Sequence, residues 1–301
     1  MNLRISLPRT YAKNVFHQAL DSLPTRTRRQ ILYLRHHRRL PDFTHPISFS
    51  EKVNWRILND RREVLRWTCD KAAMKQIVPT LSPSVNTPPS LWRGTDVTEI
   101  GRLSLPHRWV LKPNHLSGSV YIGTGEPQLD KLASISRKWL ESSKQYLHNG
   151  EWAYQMAEPT ILLEPWIGEH DSPDPPNDYK VFTFNGEPTV IQVHSGRTTG
   201  HEQFHYTPDW RRLDVRTAIS AEYDISPPPN LPLMLSQARE IGQQFDFMRI
   251  DFYDSPAGLF FGEVTPYPAG GLRRFTPYSF DLWLGKHWQL PALAHHRPLS
   301  T

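Results

Sequence analysis

Two short segments near the C-terminus carry side chains able to hold a metal ion and an anion together. They are Phe247-Met248-Arg249-Ile250-Asp251-Phe252-Tyr253 and Leu259-Phe260-Phe261-Gly262-Glu263-Val264. Read as strands of period two, they place Arg249, Asp251 and Tyr253 on one face and Met248, Ile250 and Phe252 on the other. The intervening Asp254-Ser255-Pro256-Ala257-Gly258 is turn chemistry. Folding back about Ala257 sets Glu263 opposite Asp251, with side chains ~5 Å apart. Carboxylates that close repel unless a cation or a shared proton lies between them. Arg249 on the same face adds a place for an anion. Together these residues outline a Mg²⁺–phosphate site.

Other candidates are spread along the chain. Lys112 ends the apolar run from Arg108, and Ser117-Gly118-Ser119, Gly123 and Gly125 follow it. A loop of that kind lets backbone N–H groups approach phosphates, and a lysine supplies a point charge. Neither a P-loop nor a Rossmann fingerprint is present. Glu164 ends a second apolar run and precedes Pro165-Trp166-Ile167, a segment whose backbone can grip a purine edge. Lys180 lies inside a hairpin marked by Asn185-Gly186. There it is a solvent-face residue unless that face lines a cleft. Past Glu263 come Thr265, Gly270-Gly271, Arg273 and Arg274, a turn followed by two cations suited to carboxylate or phosphate. His194, Arg197, Arg273 and Arg274 are the candidate substrate contacts, because they flank the expected cleft strands. His201-Glu202-Gln203-Phe204-His205 matches the H-E-x-x-H zinc pattern, which needs both histidines on one face of a helix. Gly200 and Pro208 bracket it, and Phe204, Tyr206 and Trp210 favour strand and turn.

The elements that must position these groups read as α+β. Val15 to Leu40 is one or two basic helices, broken at Pro24. Ser48 or Ser50 caps a helix carrying Val53, Ile57 and Leu58. Glu63 to Val78 continues helical and stops at Pro79, and residues 79–96 form a loop with at most a short strand. Asp130 to Tyr146 and Leu233 to Phe245 are further helices, and the remaining segments pair as antiparallel hairpins. The chain has 301 residues, enough for two or three lobes. Its single cysteine, Cys69, excludes an intrachain disulfide and a cysteine-built zinc site, and suits a reducing compartment. No run of eighteen apolar residues and no signal-peptide core is present, so a soluble cytoplasmic protein is expected. The net charge of +5 is uneven: residues 1–40 hold nine Arg or Lys and one acid, Asp21. Such an arm is a docking helix or a solvated face, or a contact for a membrane or another anion.

Taken in order, seven pieces resemble the ATP-grasp superfamily, most closely its teichuronopeptide-biosynthesis (TupA-like) branch. They are Phe49-Ser50-Glu51-Lys52, Asp70-Lys71, Val110-Leu111-Lys112, Leu163-Glu164-Pro165, Asp178-Tyr179-Lys180 with Phe184-Asn185-Gly186, Arg249-Ile250-Asp251-Phe252 and Phe261-Gly262-Glu263-Val264-Thr265. The resemblance implies a nucleotide held between two α+β lobes. Its division is a helical segment 1–66, a first lobe 67–166 with a Gly-rich lid, and a second lobe 167–301 with the metal site. It implies ATP and Mg²⁺ as cofactors. Lys71 and Lys112 then contact phosphates, under the loop holding Ser117 and Gly118. Glu164 and Ile167 hold adenine, and Glu169 or Asp171 takes the ribose. Asp251 and Glu263 ligate Mg²⁺ with Thr265, which stands where many such ligases carry Asn. Lys180 points into the cleft, and Arg249 stabilises charge at the reacting oxygen.

The implied reaction is ATP-dependent amide formation through an acyl phosphate. Its substrates are an amino acid and a peptide, polysaccharide or specialised-metabolite acceptor. Three rivals stand beside it. The first is a kinase on the same fold. The second is a zinc metalloprotease on His201, Glu202 and His205. The third is a non-catalytic module binding anionic glycan, membrane or nucleic acid through the basic arm. Under the ligase reading no nucleic-acid partner is expected, and the basic segment is a candidate peripheral membrane contact.

Overall fold

A computed structural model describes residues 20–142, 149–169, 172 and 174–292. Pro24 precedes helix α1 (Thr25–His37), as its break signal requires. Helix α2 (Phe49–Asn59) is capped by Ser48, which accepts from the Glu51 N–H while Glu51 returns the bond. The helix expected over Glu63–Val78 is split. A single 3₁₀ turn at Glu63–Leu65 is followed by a fresh start at Asp70, whose side chain accepts from the Ala73 N–H and opens α3 (Lys71–Leu81). Pro79 lies inside α3 rather than ending it. Within the last turn it removes one bond, and the helix stops at Leu81.

The first sheet has the order β1 (Trp92–Gly94), β4 (Ile161–Pro165), β2 (Arg108–Pro113), β3 (Tyr121–Thr124), all antiparallel. Trp109, Leu111, Ile161 and Leu163 face a core under α4 (Leu129–Leu140) and the 3₁₀ turn Val97–Arg102. The expected extension of α4 to Tyr146 runs into residues 143–148, which lie outside the described residues. Val110, Lys112 and Glu164 are left on the opposite face.

The second sheet has the order β7 (Glu202–Tyr206), β6 (Glu187–Ser195), β5 (Asp178–Phe184), β8 (Phe247–Ser255), β9 (Gly258–Thr265), again antiparallel throughout. One face, with Val181, Val193, Ile250 and Phe252, is covered by α5 (Leu231–Gly242) and by Met74 and Val78 of α3. The other face is divided. Phe182, Phe184, Val190 and Phe247 pack under α2 and α6 (Tyr278–Lys286), whereas polar residues fill the rest.

The Asp251–Glu263 pairing depends on an irregularity. From the turn, Ser255 pairs with Gly258 and Phe252 with Phe261, a register that continues Asp251 onto Gly262. A bulge between Asp251 and Phe252 shifts the ladder by one residue and brings Glu263 opposite Asp251. Without it Glu263 sits on the apolar face, because side chains alternate. A Cβ on Gly262 would lie 2.9 Å from the Tyr253 ring, so the bulge needs a glycine there.

Among the described residues no helix is long and apolar enough to cross a membrane.

Candidate functional site

Register turns the polar half of the second sheet into a grid. One row runs His205, Gln192, Lys180, Asp251, Glu263 across the strands, and the next runs Gln203, His194, Asp178, Tyr253. Lys180 is 6 % exposed, and its Nζ contacts Asp178 at 2.7 Å and also pairs with Asp251. Arg249 grips Asp251 with two parallel bonds of 2.7 Å, and reaches Glu263 at 3.3 Å and Thr265 at 3.0 Å. Burial alone would raise the Asp251 carboxyl, but Arg249 and Lys180 hold it below the usual range. Arg197 pairs with Asp178.

A second cluster belongs to the first sheet and α3. Lys112 contacts Glu164 at 2.7 Å, and Lys75 pairs with the other oxygen of the same carboxylate. Lys71, one turn before Lys75, donates to the backbone carbonyls of Asn114 and Leu116. Burial lowers the Lys71 amine, with Glu263 opposing that shift and Lys112 adding to it. Glu164 is 3 % exposed, yet its lysines overcome the burial penalty and keep it low.

The two clusters face each other across a cleft of about 260 Å³ lined by Lys71, Lys112, Glu164, Asp178, Lys180 and Glu263. Val110, Ile122, Ile167 and Phe261 supply its apolar lining. Gly118, with φ +70° and open space where a Cβ would be, stands at its edge. Behind Lys180 and Gly118 lies a second cavity of about 310 Å³, shared by Ser117, Gln192, His194, Arg249, Arg273 and the ring of Phe182.

The structure therefore gathers Lys71, Lys112, Gly118, Glu164, Ile167, Lys180, Arg197 and Glu263 at the cleft. Asp251 and Thr265 adjoin it through Arg249. Ser117, His194 and Arg273 line the second cavity. Glu169 lines a separate recess, Arg274 is exposed and lines neither cavity, and Asp171 lies outside the described residues. Two partners were missed by sequence reasoning, Asp178 and Lys75. Both carry a periodic signal, Asp178 at two residues from Lys180 on a strand and Lys75 at four from Lys71 on a helix.

As oxygen donors for a hard divalent cation, Asp251, Glu263 and Thr265 fit in type. Among the described residues Glu263 is engaged through Oε1, by Arg249 and Thr265, and its side chain lines the cleft. Among the described residues no three His, Cys, Asp or Glu side chains stand together as a metal cage. The zinc pattern is not formed as that chemistry requires. His201 to His205 runs into strand β7 instead of a helix, and Glu202 points away from both histidines to accept from Tyr223. His205 is buried against Gln192, and burial brings it down to about 3. Cys69 is buried and its thiol is pushed well up by burial, which suits packing rather than nucleophilic chemistry.

Comparison with known proteins extends these observations. No curated protein matches the chain. Solved structures with similar coordinates include D-alanine–D-alanine ligase from Bacillus anthracis, at 17% identity over 73% of this chain and 64% of that one, TM-score 0.44. An ADP complex of PurK, N5-carboxyaminoimidazole ribonucleotide synthetase, matches at 10% over 68% and 46%, TM-score 0.43. An L-amino acid ligase from Bacillus licheniformis matches at 12% over 68% and 44%, TM-score 0.42. The chain thus spans only 44% to 64% of the length of these proteins. The family profile described as TupA-like ATPgrasp, in contrast, matches residues 51–289. That stretch holds both charged clusters from Lys71 to Thr265, and by this match the chain belongs to the TupA-like ATP-grasp family, an α+β fold.

Proposed function

We propose that the protein is an ATP-dependent carboxylate–amine ligase that joins an acid to an amine through an acyl phosphate. The observation that carries this reading is the meeting of the lysine cluster and the carboxylate cluster across one cleft. Bound there, Mg²⁺–ATP supplies the phosphoryl group that activates the acid. Lys71 and Lys112 face that space as phosphate contacts, with the Ser117–Gly118 loop above them. Glu164 already binds two lysines, so the adenine edge falls to the backbone of Pro165 to Ile167, and Glu164 orients the lysines. Glu169 or Asp171 remains the proposed ribose contact. Asp251, Glu263 and Thr265 hold the cation. Arg249 and Lys180 stand between the cleft and the second cavity, where charge develops as acid oxygen meets phosphorus. The second cavity holds the acid and amine, with His194 and Arg273 in its wall. The division into segments 1–66, 67–166 and 167–301 is part of the proposal, as are cytoplasmic location and a peptide, polysaccharide or small-molecule acceptor.

A phosphate-release screen of amino acids against pooled acids, with Mg²⁺ and ATP, tests the reading. Phosphate released only when acid and amine are both present supports it. A phosphate monoester formed on a substrate hydroxyl without amine assigns a kinase instead.

A further inference from the structure

We propose that helix α1, upstream of the family-matched stretch, is a working part of the second cavity: Arg29 and His37 clamp the Pro268–Gly271 turn and so position Arg273 for an anionic group of the substrate. What the cavity binds rests on the ligase reading; the clamp does not.

Arg29 is fully buried. Its Nε donates to Asn54 Oδ1 at 2.8 Å, one terminal nitrogen donates to the Asn149 carbonyl at 3.3 Å, and the other to the Gly270 carbonyl. His37 Nε2 lies 3.0 Å from the Gly271 carbonyl, which also accepts from Asn54 Nδ2 at 3.2 Å. Each of these turn carbonyls is thus satisfied by α1 or α2, as buried backbone requires. The turn has no room to shift. Ala269, Gly270 and Gly271 all have positive φ, 48°, 58° and 64°. A Cβ on Gly271 would lie 2.6 Å from Asn54 and 2.8 Å from the Ser50 carbonyl, and one on Gly270 would lie 2.7 Å from Glu151.

The other side of this turn is cavity wall: Pro268, Ala269 and Gly271 line it, together with Phe49 and Ser50 of α2. Two residues further on, Arg273 enters the same cavity. Lys180 and Arg249 are already matched by Asp178 and Asp251. Among the described residues Arg273 has instead one neutral partner, the Gln203 amide oxygen at 3.1 Å. It is the cavity cation with capacity for a substrate carboxylate. A buried guanidinium is also an expensive way to pack a helix, since apolar residues of similar volume stabilise as well or better. Its geometric yield is orientation, with planar donors fixing both backbone carbonyls and the Asn54 amide.

The test uses the full chain and the variants Arg29→Met, Arg29→Lys and His37→Phe. Hydrogen exchange across residues 266–274 is expected to speed up at least tenfold in Arg29→Met, with β2 and β8 unchanged. The kinetic probe is the amino acid giving the largest hydroxylamine-dependent phosphate release in the wild type. For it, Arg29→Met raises KM at least tenfold, with kcat within threefold and the KM for Mg²⁺–ATP within twofold; Arg29→Lys recovers part of the loss. Unchanged exchange at the turn overturns the clamp. Equal damage to the KM values of ATP and acid overturns the positioning role. If Arg29→Met does not fold, His37→Phe removes one clamp bond while keeping a ring against Tyr33, and is expected to show the same split at smaller size. If the wild type releases no phosphate with any acid, the ligase reading falls, and the exchange result alone decides the clamp.

Discussion

On the side of the first sheet, Lys75 of α3 and Lys112 of β2 share a single carboxylate, Glu164, and among the described residues Lys71 donates to backbone alone. On the second, Lys180, Arg197 and Arg249 are matched by Asp178, Asp251 and Glu263. One wall of the cleft is therefore net positive and the other close to neutral. The positive wall is ready for a polyanion without rearrangement, because its surplus cations are fixed by helix α3 and strand β2. The neutral wall is a closed network in which every cation already has an acid. A divalent ion gains access to Asp251 only by sharing oxygens with Lys180 and Arg249. Anion binding is thus built into one wall, whereas the other exchanges one set of positive partners for another.

Breaking the second wall at its least engaged acid should have the largest effect. Glu263→Gln keeps the shape and removes a charge, and turnover measured as phosphate release is expected to fall ~100- to 1,000-fold. Its thermal midpoint should move little, because the side chain is 30 % exposed and sits at the rim. A large drop in midpoint would assign Glu263 to folding rather than to the cation. On the first wall, Lys112→Met removes one charge-assisted contact, worth ~1.5–3 kcal/mol, so nucleotide affinity by calorimetry should weaken ~10- to 100-fold. An unchanged affinity would break the division between the walls.

A third site lies behind the second cavity and sharpens the contrast, since it titrates. Burial raises the Glu151 carboxyl from 4.5 to about 7, with Arg29 opposing the shift. The folded protein then keeps a proton that the unfolded chain loses above pH 4.5. Stability contributed by that proton is present below pH 4.5 and is lost as pH rises to about 7, an effect on the order of 3 kcal/mol. Glu151→Gln is expected to flatten the denaturation midpoint between pH 5 and pH 8; an undiminished slope would place the titration elsewhere. The smallest effect is expected at His201. It contacts His194 at 2.7 Å but lines neither cavity. Turnover of His201→Ala should stay within about threefold, and after chelation Mg²⁺ rather than zinc should restore it. Zinc-dependent peptide hydrolysis lost in His201→Ala would revive the metalloprotease reading.

Much of this is legible in the sequence. Alternation along Arg249–Tyr253 and the turn residues after it pointed to Asp251 opposite Glu263. The route differs, however. The expectation centred the fold on Ala257, whereas the turn is Pro256-Ala257 and the bulge at Gly262 restores the pair. No residue pattern announces a bulge, because it is decided by how Tyr253 and the Asp251 backbone crowd the facing strand. Alternation alone reads Lys180 as a solvent-face lysine and the resemblance sets it in the cleft; the sheet places that face at the cleft wall. The split of Glu63–Val78 turned on local competition, in which the Asp70 side chain captures the Ala73 N–H and restarts the helix. The roles of α1 and of Glu151 were hidden for another reason. Their partners, Gly270 and Gly271, are more than a hundred residues away. The motif Phe49-Ser50-Glu51-Lys52 was visible as a helix start. Its tie to α6, through Ser50 with Asp281 and Lys52 with the Gly285 and Trp288 carbonyls, was not.

Lys180 and Gly118 belong to the walls of both cavities. A molecule seated in either one changes a surface that the other presents. Whatever enters first therefore alters the affinity for the second arrival, and thermodynamics makes that influence mutual and equal in size. Coupling between the two cavities is in this sense written into a single lysine and a single glycine.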